Sequence, residues 1–368
     1  MWRVLCVDDD EKKAAEVAEF LTTWKVGNPY GDFTAVVETS FTASLERLSN
    51  ERFDLVTLDL HGSQDPDPGK GSGDNREQEG KQVLDELKKR RFVPVIFYTG
   101  FAEKIADLET GVVRVVKKGQ DDLAEVRKAA EEIYKTGLPK LVRHIEKEER
   151  DFIWETVDKH WDKLNGDSDQ LCYLLARRLA AQFNRQSVKD LLGHTKDVAK
   201  PIEHYIYPAI AAKIKTGNIC KTPDGKFWIV MTPSCDFALG KAENILLVGL
   251  SNLADSDQYK KWSGGEKWKG VGAAPSTSAQ TAWEKLTKLI RNNAGDRFRF
   301  LPGTFFFPSS TVDLQVLKQV KLPELDGLEL VCQLDNPYRQ ELLLHFSKYY
   351  GRLGTPNLDA DQLLAELA

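Results

Sequence analysis

No apolar run in the sequence approaches the roughly 20 residues that a membrane-spanning helix requires, and the first residues read as a strand rather than a signal peptide. Cysteine is sparse and scattered. Cys6, Cys172, Cys220, Cys235 and Cys332 form no CxxC pair, which argues against a disulfide framework or a zinc site. Together these absences point to a reducing, cytoplasmic setting. A basic surplus is missing too: the net charge is −5. Residues 1–137 carry seven more acids than bases, and the remainder two more bases than acids. The acidic part argues against nucleic-acid binding there, whereas the rest leaves the question open. The run Gly69-Lys70-Gly71-Ser72-Gly73 lacks the spacer of a phosphate-binding P-loop. No helix-turn-helix pattern is evident either, so a common mode of DNA binding is not supported.

What is present is a chain of 368 residues, 41% hydrophobic and 29% charged, which suits a globular protein of two or three domains. Residues 1–137 alternate strand and helix signals. Apolar strands are expected at Val4–Val7, Phe33–Val37, Leu55–Leu58, Val95–Tyr98 and Val112–Val116. Between them, helical periodicity covers Lys12–Trp24, Phe41–Leu48, a segment opened by Gly80, a short turn at Ile105–Leu108, and Asp121–Tyr134. Repeated βα units of this kind build an α/β flavodoxin-like (βα)5 doubly wound parallel sheet.

Four of the expected strands end in chemistry. The first runs into Asp8-Asp9-Asp10, the third into Asp59, the fourth into Thr99-Gly100 and the fifth into Lys117. In an open parallel sheet these ends share one edge, where ligands bind. Clustered carboxylates there repel one another and call for a cation, and an all-oxygen set suits Mg²⁺ or Mn²⁺. This combination resembles the receiver domain of two-component response regulators, over roughly the first third of the chain. The resemblance implies Asp59 as the carboxylate that takes a phosphoryl group from a histidine kinase, Lys117 as its counter-charge and Thr99 as the switch hydroxyl. It implies metal ligands at Asp8, Asp9 and Asp59, with the backbone carbonyl of His61 added. Any one of these residues alone would pass as a loop-edge polar group.

Two features depart from that pattern. Ser63–Glu79, with Asp65-Pro66-Asp67-Pro68-Gly69, is long for a βα loop and rich in breakers, and reads as a lid over Asp59 or as a disordered insertion. The position three before the expected lysine, an aromatic in the family, is Arg114 here, so output through a buried aromatic is not expected.

Residues 138–215 read as a helical connector. Lys140–Leu164 carries a stripe of Leu141, Ile145, Phe152, Ile153, Val157, Trp161 and Leu164, expected to pack on the C-terminal domain or to act as a lever or homodimer helix. His144 and His160 on it read as solvated or capping residues rather than phosphotransfer sites. Further helices are expected at Ser168–Phe183, Ser187–Leu192 and around Pro201–Ile214.

Residues 216–368 change to a strand period. A hairpin at Asn218–Lys221 and Lys226–Thr232 is followed by strands at Asn244–Leu250, Arg297–Leu301, Thr304–Phe307, Val312–Val320 and Leu328–Leu334. Helices fall at Ala279–Asn292 and Tyr338–Tyr349. An α+β domain with a small antiparallel sheet or barrel is expected. Two stretches invite other readings. Cys235, in Met231-Thr232-Pro233-Ser234-Cys235-Asp236, is a candidate nucleophile of a receiver-gated enzyme or simply part of a structural turn; the neighbouring acid opposes thiolate formation. Lys260–Lys269 interleaves lysines with Trp262 and Trp268, suiting nucleic-acid contact or a solvated loop anchored by its tryptophans. The Thr-Pro-Ser-Cys-Asp stretch and Leu334–Arg339 are similar to regions joined to receivers in bacterial defence operons, including the phosphate-buffer component of the Detocs phage-defence system. That similarity implies an antiviral setting.

The resulting expectation is a cytoplasmic bacterial response regulator, phosphorylated on Asp59 with Mg²⁺. It would relay or buffer the signal through a C-terminal domain whose protein partner is unknown. Its catalysis would be limited to taking up and hydrolysing its own phosphoryl group.

Overall fold

The computed structural model describes residues 1–25, 27–60, 79–119, 122–161, 168–210, 214–352 and 360–367. Contacts divide the chain into two compact units, Met1–Lys196 and Asp197–Ala368.

In the first unit, β1 (Trp2–Val7), β2 (Phe33–Glu38), β3 (Leu55–Leu58), β4 (Val95–Thr99) and β5 (Val113–Lys117) form a parallel sheet in the order β2-β1-β3-β4-β5. This is the doubly wound order expected of the βα units, with its chain reversal between β1 and β3. Alternation along the strands sorts side chains to two faces. Val4 and Cys6 of β1 pack with α1 (Glu11–Thr22) and α4 (Asp122–Lys135), through Val17, Leu21, Val126 and Ile133. Leu5 and Val7 pack with α2 (Phe41–Asn50) and α3 (Glu79–Arg90), through Leu48, Val83 and Leu87. Burial on both faces explains why the strand sequences are apolar runs rather than alternating patterns.

The expected long helix is present, its helical backbone running from Leu138 to Trp161 through α, π and 3-10 turns, and 162–164 lie outside the described residues. α5 (Leu138–Phe152) follows Gly137, whose φ of 78° makes the turn out of α4, and passes into a π-type turn at Ile153–Val157. It docks on the first unit: Arg143 lies 4.1 Å over the Trp2 ring and donates to Asp54 at 3.0 Å, and Glu146 pairs with Arg52. α6 (Ser168–Gln182) and α7 (Arg185–Leu191) pack beside it. His144 meets the Phe183 ring edge-on at 5.8 Å and is partly covered, consistent with a packed rather than a phosphotransfer histidine.

The second unit is built on one seven-stranded antiparallel sheet. Its strands are β6 (Tyr205–Ile206), β7 (Asn218–Lys221), β8 (Phe227–Val230), β9 (Asn244–Asn252), β10 (Phe298–Leu301), β11 (Ser310–Lys321) and β12 (Glu329–Leu334), ordered β10-β11-β9-β8-β7-β12-β6. It is larger than the sheet expected, and among the described residues no pairing closes it into a barrel. α8 (Ser234–Ala238), α9 (Asp257–Ser263), α10 (Thr277–Ile290), α11 (Tyr338–Tyr350) and α12 (Ala360–Leu367) complete the unit, with Leu342 and Tyr349 of α11 packed against the sheet.

Two local expectations fail here. The helix placed at Pro201–Ile214 is a single 3-10 turn, Pro201–His204, followed by β6. Pro208 disfavours helical backbone before it, and Tyr205 gains burial by pairing with Leu334 of β12. Thr304–Phe307 is a corner instead of a strand. Phe307 turns into the core while the Thr304 amide donates to the Phe307 carbonyl.

Candidate phosphoacceptor site

Asp8, Asp59 and Lys118 share a position: each is the first residue after its strand, β1, β3 and β5 respectively. Because these strands run parallel and in register, all three side chains emerge at one sheet edge. Asp8 and Asp59 are buried, Asp9 is half-buried, and one carboxylate oxygen from each lies within 4.8 Å of the others. Asp59 Oδ1 accepts from the Leu60 amide at 2.7 Å, and Asp8 Oδ1 accepts from the Asp10 amide at 3.1 Å. Asp10 itself caps α1 by accepting from the Lys12 and Lys13 amides, which keeps it out of the cluster.

The cation at the cluster is Lys118. Its Nζ lies 2.7 Å from Asp8 Oδ2 and 2.9 Å from Asp59 Oδ2. Lys117, the residue expected there, is exposed and pairs with Glu103. The reason is one residue of strand. The sequence suggests that β5 ends at Val116, but its ladder continues to Lys117, paired with Thr99. The chain therefore crosses the sheet edge at Lys118, whose amide donates to the Thr99 carbonyl at 2.9 Å. Counting from Lys118, the residue three positions earlier is Val115 rather than Arg114. It is not aromatic either, and Arg114 is tied to Glu109 and Glu132.

The surrounding groups set the electrostatics. Burial pushes the Asp8 carboxyl above its ordinary value, against the pull of Lys118. Burial also opposes charge on Lys118, but the Asp8 and Asp59 carboxylates outweigh it and hold the ammonium above its ordinary value. Thr99 ends β4 fully buried, its hydroxyl accepting from the Phe101 amide at 3.3 Å. His61 lies outside the described residues, as does 63–78 of the long loop.

Two supporting residues had no obvious sequence signal. Tyr98 places its ring 5.4 Å from Lys118 Nζ and donates its hydroxyl to Asp122 at 2.5 Å. Asp122 also accepts from the Gly119 amide at 2.8 Å, pinning the turn that carries Lys118. Gly80, in the first turn of α3, lies so close to the end of β3 that a Cβ would sit 2.5 Å from the Asp59 carbonyl oxygen. Only glycine allows the helix to pack there.

The donor set fits a divalent cation. It is all oxygen, and with every group ionised Lys118 leaves two of the three carboxylate charges unmatched.

The other candidate residues are not drawn into such a cluster. Cys235 is exposed on α8, with its thiol 3.6 Å from Asp236. Two histidines of the same unit are engaged in contacts of their own. His204 stacks on Tyr338, and His345 bonds to Arg299 and the Asp296 carbonyl. Burial pushes the thiols of Cys6, Cys220 and Cys332 up to about 12, so they are unreactive core residues. Trp262 and Trp268 donate to the carbonyls of Trp268 and Val271 and anchor their loop.

Comparison with solved structures places the N-terminal third of the chain beside response-regulator receiver domains. The response regulator TrrA from Thermotoga maritima, solved in complex with Mg²⁺-BeF, is 20% identical over 36% of this chain and 99% of its own, with a TM-score of 0.28. The CheY-like receiver domain protein from Methanospirillum hungatei is 19% identical over 36% of this chain and 96% of its own, with a TM-score of 0.25. The response regulator domain of Thermotoga maritima CheB is 18% identical over 36% and 97%, with a TM-score of 0.27. No family profile matches the chain, and no curated protein matches it in sequence. The strand order and helix layers carry the fold assignment. No helix among the described residues is long and apolar enough to cross a membrane.

Proposed function

We propose that the first unit is a phosphoacceptor of the response-regulator type, accepting a phosphoryl group on Asp59 from a phosphohistidine of a partner kinase. The observation that supports this best is the Lys118 ammonium held by both Asp8 and Asp59 at the sheet edge. An Asp59 carboxylate oxygen attacks phosphorus as the P–N bond of the donor breaks. The bonding pair returns to the imidazole nitrogen, which takes up a proton. The Leu60 amide holds Oδ1, restricting rotation of the carboxylate. Lys118 moves from neutralising Asp59 to facing the new phosphoryl oxygens, and the Thr99 hydroxyl can turn to donate to one of them. A Mg²⁺ or Mn²⁺ ion held by Asp8, Asp9 and Asp59 would supply charge neutralisation for the phosphoryl group. The acyl phosphate later hydrolyses, so the unit acts on no independent substrate. Output through the second unit, by protein contact or as a phosphoryl sink, belongs to the same reading.

The test is phosphoryl uptake. The full chain is incubated with Mg²⁺ and acetyl phosphate or phosphoramidate, then followed by intact mass and sedimentation. Gain of one phosphoryl group, absent in Asp59→Asn and after chelation of the metal, is expected. A folded wild-type chain that takes up nothing from either donor overturns the proposal. A change in sedimentation on uptake would identify a homodimer as the output state.

A further inference from the structure

The second unit carries a cleft that the phosphoacceptor does not use. It lies between α9 and α10, has a volume of about 490 Å³, and is lined in part by Lys261, Lys267, Lys285, Trp262, Thr277 and Thr281. That size falls within the roughly 300–1,000 Å³ of small-molecule sites and far exceeds a bare phosphate. The lining mixes two chemistries. Lysines and hydroxyls supply donors, whereas Trp262, Ala279 and Ala282 supply an apolar wall.

The lysine charge is only partly balanced, by Glu266 on the same lining. Lys221 and Lys226 of the same unit pair with Glu329 and Asp224. Lys261, Lys267 and Lys285, in contrast, make no ion pair with any described residue. Three ammonium groups against the single carboxylate of Glu266 leave an excess of positive charge around one concavity, which attracts an anion. The first turn of α10 adds to this. Ser276 satisfies the Ala279 amide through its hydroxyl and the Gln280 amide through its carbonyl, leaving the exposed Thr277 and Ser278 amides with no partner among the described residues.

The far wall is held in place by its own contacts. The Trp262 indole donates to the Trp268 carbonyl at 2.8 Å and the Trp268 indole to the Val271 carbonyl at 3.0 Å. Gly270, at φ 76°, abuts the Trp283 indole so closely that a Cβ would lie 2.5 Å from its nitrogen. Lys267 adopts φ 48°, a left-handed conformation that costs a non-glycine residue free energy. The result sets a lysine on the cleft wall.

We propose that this cleft binds a phosphate-bearing small molecule of nucleotide size. The lysines and the α10 amides would take the phosphates, and the wall of Trp262 and the alanines would take the planar base. The decisive experiment titrates ATP into the full chain by calorimetry. Binding is expected at one site, weakening as salt rises. It should weaken by about tenfold or more in the double variant Lys261→Glu, Lys285→Glu. Thr281→Trp, which fills the cleft without altering charge, should weaken it likewise. Both variants change exposed residues, and phosphoryl uptake on Asp59 should be unaffected in them. Thermal melting of each checks that the second unit remains folded. Failure of ATP to bind, or binding that both folded variants retain, overturns the proposal. Inorganic pyrophosphate binding as tightly as ATP removes the role given to the base. A short single-stranded oligonucleotide that binds more tightly than ATP overturns the small-molecule assignment in favour of nucleic acid.

Discussion

The Lys118 ammonium lies 2.9 Å from the Asp59 carboxylate and holds the side chain of Asp8 in the same grip, so one lysine ties the ends of β1, β3 and β5 together. If Asp59 accepts a phosphoryl group, this is the cation left facing it. Lys118→Ala should slow phosphoryl uptake by about a hundredfold, the typical cost of removing one well-placed donor to developing negative charge. Lys117→Ala, which removes only an exposed pair with Glu103, should leave the rate unchanged. Parallel time courses by intact mass distinguish the two lysines.

Gly80 offers a test of close packing. Replacing a helical glycine with alanine ordinarily gains up to about 1 kcal/mol in propensity. Here the new methyl would meet a backbone atom, the Asp59 carbonyl oxygen, at 2.5 Å, and relief requires α3 or the end of β3 to move. Overpacking of this kind costs about 1–3 kcal/mol, so Gly80→Ala should destabilise overall. Urea unfolding measures the sign. Phosphoryl uptake should slow as well, because the displaced backbone is that of Asp59.

At the opposite end of β3, Asp54 is buried and accepts from the Arg3 amide, Arg52 and Arg143. Asp54→Ala would remove the acceptor shared by the Arg3 amide and two half-exposed arginines, which keep Glu146 and the Met1 carbonyl, at a cost of about 1–2 kcal/mol. The loss should appear in thermal unfolding, together with faster proteolysis within α5, which Arg143 fastens down. If α5 stays protected in the variant, its docking rests on Trp2 and the apolar contacts instead.

The second unit supplies a pH test. Asp313 accepts from Arg297 at 2.8 and 2.6 Å, and that guanidinium holds its carboxyl below the ordinary carboxylate value despite its burial. A carboxyl depressed in the folded state contributes stability above its unfolded value of about 3.9, and that contribution is lost as pH falls through the folded value. Asp313→Asn should therefore be less stable than the wild type at neutral pH. The two should converge as pH drops below about 4, as followed by denaturant unfolding at each pH.

Much of the first unit was legible in the residues themselves. Apolar runs of four to six residues separated by helical periods leave few arrangements, and a parallel sheet then sends every strand's end to one edge. That logic alone brought Asp8, Asp9 and Asp59 together and put Thr99 at the end of β4. The second unit was harder. Its strands pair across long separations, as β7 with β12 does, and short segments such as Tyr205–Ile206 become strands only because a partner edge is there to bury them.

The lysine marks the boundary between the two kinds of information. Composition and periodicity placed Lys117 at the end of β5 beside a carboxylate cluster, and Lys118 follows it directly. Which of the two reaches the cluster depended on where the β4–β5 ladder stops, a matter of one residue, and successive side chains on a strand point to opposite faces. The same holds for Gly80 and for the α9–α10 cleft. In each, the sequence supplied the residue types, and only packing decided which of them face a common space.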